Sequence, residues 1–119
     1  MPAVYGSGDR QHRFLPYLQQ MFDQQPILLG EKQARWRFSH GYVENVAAAI
    51  ALAVTNDRAT GRVYNVGESR TPTLLERIQT LGRLVDWHGE MVILPKDQLP
   101  SRLQMNLQWQ YYLAIDITR

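Results

Sequence analysis

The stretch Arg35-Trp36-Arg37-Phe38-Ser39-His40-Gly41-Tyr42-Val43-Glu44-Asn45-Val46-Ala47-Ala48-Ala49-Ile50-Ala51-Leu52-Ala53-Val54 changes its apolar period part-way along. Residues 35–39 alternate in character, which predicts a short strand. From Val43 onward the apolar positions are Val43, Val46, Ala47, Ile50 and Val54, the spacing of one helical face. They predict a helix over about 43–55. A strand pattern followed by a helix pattern is the repeating unit of an α/β protein.

The same alternation extends in both directions. Towards the N-terminus, Ala3-Val4-Tyr5 followed by Gly6-Ser7-Gly8-Asp9 reads as a strand end entering a turn. Nothing apolar precedes Pro2, so this strand looks cut off and the chain is expected to begin inside a domain. Phe14, Leu15, Leu18, Met21 and Phe22 predict a helix over about 13–24, with Pro16 in its first turn and a stop before Pro26. Ile27-Leu28-Leu29 is a short apolar segment. Towards the C-terminus, 56–61 reads as a loop and 62–66 as a strong strand candidate closed by Gly67. Thr73-Leu74-Leu75-Glu76 matches a capping box and opens a helix over about 73–86 through Ile78, Leu81 and Val85. Residues 91–94 predict another strand and 95–104 a polar loop, while 106–119 fit either helix or strand. The fold class is therefore α/β, with few short strands and three main helices. A complete doubly wound nucleotide domain needs more strands in a continuous series.

Composition narrows the function classes. The chain has 119 residues, 45% hydrophobic and 20% charged, ordinary for a globular protein. The net charge of +2 reflects scattered arginines, and no Lys/Arg run resembles a nucleic-acid stripe. Eleven of the 13 basic residues are Arg, which favours bidentate contact with carboxylate or phosphate and permits small anionic partners. The chain has no Cys, excluding disulfides and a thiolate nucleophile. No apolar run approaches the roughly 20 residues that span a bilayer, and the N-terminus lacks a signal-peptide pattern. These features predict a soluble cytoplasmic protein with no membrane or nucleic-acid partner.

The catalytic patterns fail one by one. Gly6-Ser7-Gly8-Asp9-Arg10-Gln11 carries two glycines of a dinucleotide fingerprint and lacks the third, so it reads as a turn. A tyrosine acid/base needs a lysine four residues on, whose charge lowers the phenol pKa. The two lysines, Lys32 and Lys96, have Leu28 and Val92 at those positions. His12, His40 and His88 form no helical ligand pair. His40 with Glu44 could in principle face one site, but an ordinary hydrogen-bonded histidine near a helix start is the favoured account. Trp36 between Arg35 and Arg37 could stack on and bind an anionic or nucleobase group, but a partly buried strand residue flanked by exposed arginines is the favoured account.

Three segments, in this order, resemble the C-terminal half of extended short-chain dehydrogenase/reductases, the NAD-dependent epimerase/dehydratase family. Pro2-Ala3-Val4-Tyr5-Gly6-Ser7-Gly8-Asp9 resembles the family's Arg-Pro-x-x-Val-Tyr-Gly-Pro-Gly-Asp. Arg37-Phe38-Ser39-His40-Gly41-Tyr42-Val43-Glu44-Asn45-Val46-Ala47 resembles its Arg-x-x-x-His-Val-x-Asp-Val-Ala, and Gly61-Arg62-Val63-Tyr64-Asn65-Val66-Gly67 its Gly-x-x-Tyr-Asn-Val-Gly. The end, 114–119, resembles the segment before the family's closing motif. The resemblance implies that 1–119 is the substrate-binding portion of a Rossmann-type enzyme, with remnants of the nucleotide-binding sheet near 2–6 and 61–67. It implies an isomerase or oxidoreductase parent using NAD or NADP, with this portion neither binding the dinucleotide nor turning over substrate alone. Pro2, Ala3 and Val4 would lie beside the cofactor. Tyr5 with Arg37, or with Arg35 if the register shifts, would meet a nucleotide-sugar-like substrate. Strand edges left open by truncation predict self-association. The alternative is a non-catalytic α/β module that binds a ligand or a protein.

Overall fold

A computed structural model describes residues 2–101. In chain order the elements are β1 (Ala3–Tyr5), α1 (Leu15–Phe22), β2 (Ile27–Gly30), α2 (Glu31–Arg35), β3 (His40–Tyr42), α3 (Val43–Thr55), α4 (Leu74–Leu84) and β4 (Met91–Leu94). Single 3-10 turns occupy Asp57–Ala59 and Lys96–Gln98. The architecture is mixed α/β with short parallel strands, as the alternating periods predicted. The described residues divide into two compact units, one of 2–12 with 38–71, the other of 13–37 with 72–101.

The second unit holds the apolar core. β2 and β4 pair in parallel, from Ile27 opposite Met91 to Gly30 opposite Leu94. Ile27, Leu29, Met21, Ala34 and Ile78 are buried together, with Tyr17, Leu18, Leu75 and Trp87 packed around them. The expected helices supply this cluster: Met21 comes from α1 and Ile78 from α4. The capping reading holds in part, since the Thr73 side chain accepts the Glu76 N–H at 3.2 Å and so starts α4.

The first unit pairs β1 with β3, also in parallel, with Ala3 opposite His40, Val4 opposite Gly41 and Tyr5 opposite Tyr42. α3 follows β3 without a break and covers the pair with Val46. A Cβ on Gly41 would lie 2.7 Å from Val46 Cγ2 and 3.1 Å from Pro2 Cγ. Only a residue without a side chain lets β3 pass this close to both.

Two expected strands differ from the structure. The strand expected over 35–39 starts later, at His40. Arg35 instead closes the five-residue α2, which begins where the Gln33 side chain accepts the Gly30 N–H at 3.2 Å. Arg37 forms an isolated antiparallel bridge to Thr73. The strand expected over 62–66, with its remnant of a nucleotide-binding sheet near 61–67, is not a strand, and Val63 is 88% exposed. The β-forming residues are present, but strand structure requires a paired neighbour, which intrinsic preference cannot supply. The expectations for 106–119 lie outside the described residues.

Candidate functional site

The β1–β3 pair gathers an aromatic cluster. Register places Tyr5 beside Tyr42, with ring centroids 5.7 Å apart and planes tilted by 41°. His40 stands edge-on to Tyr5 at 6.3 Å and to Phe38 at 5.2 Å. Phe38, His40 and Tyr42 share one face because successive side chains alternate sides along an extended segment.

Polar contacts fix His40. It is 7% exposed. Its Nδ1 lies 2.6 Å from the Phe38 carbonyl oxygen, which can only accept, so Nδ1 carries a proton. In the neutral ring Nε2 is then the unprotonated nitrogen, with its lone pair directed away from that carbonyl. The His40 backbone N–H donates to Glu68 Oε1 at 2.7 Å. Ser39 Oγ, just before β3, and Thr71 Oγ1 lie 3.2 Å apart, a second tie to the 66–71 segment. The carboxylate that holds His40 is therefore Glu68, whereas Glu44 lies exposed on the first turn of α3. The arrangement can present two phenols to a ligand beside a buried, positioned imidazole, and the described residues of this unit include no lysine to make Tyr5 or Tyr42 an acid/base.

The residues singled out in the sequence fall in both units. Pro2 and Ala3 are buried and Val4 is half-buried on β1. Tyr5 is half-buried within the aromatic cluster. Arg35 is exposed at the end of α2 and Arg37 is half-buried beside Thr73, both in the second unit, as is Trp36, whose carbonyl accepts the Leu74 N–H at 2.9 Å. Sequence reasoning did not find Phe38, Tyr42 or Glu68. The recurrence of aromatic rings at 36, 38, 40 and 42 was the available signal for the first two.

A dinucleotide requires a glycine turn opening directly into a helix, whose N-terminus meets the pyrophosphate. Here the Gly6–Gly8 turn is followed by further turns, and the next helix starts at Leu15. At Gly6, φ is +124° and an added Cβ would meet Val43 Cγ1 at 2.7 Å, so this glycine serves close packing against α3. The described residues do not fit a pyrophosphate cradle. Among them no group of three His, Asp or Glu residues could hold a metal ion, and no helix is long and apolar enough to cross a membrane. No protein-family model matches this chain, and no curated protein matches it.

Proposed function

We propose that these residues are the substrate-receiving part of an NAD(P)-dependent epimerase, dehydratase or reductase of the extended short-chain type, and that they bind a nucleotide-sugar-like ligand without converting it. The observation that carries this reading is the pairing of β1 with β3. The first two family-like segments, far apart in sequence, lie side by side in register, and Tyr5 of one touches Tyr42 and His40 of the other. Two accessible phenols backed by a buried imidazole suit the hydroxyls and ring of a sugar or base. The same residues lack the Tyr-x-x-x-Lys pair, so proton transfer at the sugar carbon is not among their tasks.

Calorimetric titration of the full chain with a UDP-hexose and, separately, with NAD+ tests the proposal. Saturable binding of the UDP-hexose, weakened by Tyr5→Ala and by Tyr42→Ala, with no binding of NAD+, supports it. Binding of neither ligand, or turnover of the UDP-hexose by this chain alone, overturns it.

A further inference from the structure

A groove of about 560 Å³ opens within the first unit between the C-terminal half of α3 and residues 58–66. Its floor continues the buried side of the helix. Val46 is buried, and Ala49, Ile50 and Ala53, which follow it at helical spacing, line the groove. Ile50 is 50% exposed, so the apolar stripe of α3 runs out from under cover half-way along the helix. The facing wall carries Arg58 and Arg62, and no carboxylate is among the described residues that line the groove. Both arginines extend from a fixed turn: the Arg58 N–H donates to Asn56 Oδ1 at 3.0 Å, and the Arg62 N–H to the Ala59 carbonyl at 3.2 Å. Among the described residues neither guanidinium has a carboxylate partner.

An apolar floor with two guanidinium groups on one wall is complementary to a molecule that is itself divided into an apolar body and an anionic head. The volume falls within the roughly 300–1,000 Å³ typical of small-molecule sites. We propose that this groove binds a free single-chain amphiphile with an oxyanion head, of the fatty-carboxylate kind. The chain lies against Ala49, Ile50 and Ala53, and the head meets Arg58 and Arg62. The site is separate from the aromatic cluster and does not depend on the reading given to it.

Decanoate, below its micelle-forming concentration, is the probe, with decanol as its neutral counterpart. Calorimetry on the full chain is expected to show saturable binding of decanoate, one per chain and tighter than decanol. The double substitution Arg58→Ala with Arg62→Ala is expected to weaken decanoate by roughly tenfold or more, the size of a lost charge-assisted contact, and to leave decanol unchanged. Ile50→Glu, at a half-exposed position that tolerates a polar side chain, is expected to weaken both ligands. Circular dichroism of each variant matching the wild type accompanies these results. Absence of saturable decanoate binding overturns the proposal, as does an unchanged affinity in the double arginine variant. Binding to anionic vesicles without binding of monomeric decanoate overturns it too, because the surface would then recognise a membrane.

Discussion

The unit of 13–37 and 72–101 closes helices and sheet over Met21, Ile27, Leu29, Ala34 and Ile78, whereas the unit of 2–12 and 38–71 buries Ala3 and Val46 beside Ser39 and His40. The two have the same ingredients, a parallel strand pair and helices, and hold them by different means. Apolar area removed from water stabilises the second unit. The first relies on close backbone approach at Gly41 and on hydrogen bonds from Ser39 and His40 to Thr71 and Glu68. It also leaves apolar side chains uncovered on and near α3, with Val54 80% exposed. Groups that meet a ligand cannot also be sealed in a core. The unit with the thinner core is therefore the one in which binding surfaces are to be sought.

The largest effect tests the closed core. Ile78 is fully buried at its centre. Ile78→Ala removes buried methyl and methylene groups and leaves a cavity, so it is expected to lower stability by roughly 2–5 kcal/mol. Urea denaturation measures the loss. Residue-resolved amide exchange should show opening in 13–37 and 72–101. A loss under about 1 kcal/mol would mean that the site collapses freely, and the contrast between the units would fail.

Close approach, the first unit's own device, is tested by Gly41→Ala. The new Cβ has no room beside Val46 Cγ2 and Pro2 Cγ. Overpacking of this kind is expected to cost roughly 1–3 kcal/mol. Combining it with Val46→Ala removes the nearer obstacle, so the two losses should be less than additive. Urea denaturation of the single and double variants measures the coupling. Strict additivity would show that α3 does not press on β3 at Gly41.

These sites also mark what could be read from the sequence. The helix at 43–55 and the Thr73 cap were legible because both are local: a period of 3.6, and an acceptor three residues before the N–H that it satisfies. β2 and β4 showed as short apolar runs. β3 was misplaced towards 35–39 because its limits are set by β1 and by Glu68, 28 residues away, and no local pattern encodes that contact. Residues 62–66 failed in the opposite sense, with strand-forming side chains and no strand structure. In the candidate site, Tyr5 was read from its segment. The Phe38–His40–Tyr42 face required the correct strand, and Glu68 required the fold.

The smallest effect concerns Tyr17, on the rim of the core. Burial pushes its phenol above the ordinary value near 10, and a hydrogen bond from Gln33 partly opposes the rise. Gln33 can donate because its side-chain oxygen is already engaged by the Gly30 N–H, which leaves the NH2 group for the phenol oxygen. The folded chain thus holds the Tyr17 proton more tightly than the unfolded chain does. This contribution to stability is fully present below about pH 10 and is lost as the pH rises through the raised value, because over that range the folded state binds more protons. Urea midpoints followed upward from neutral pH should therefore fall more steeply above pH 10 in the wild type than in Tyr17→Phe, which has no proton to lose. Parallel curves for the two proteins would show that Tyr17 ionises equally well in both states, and that the edge of the core beneath α1 is wet.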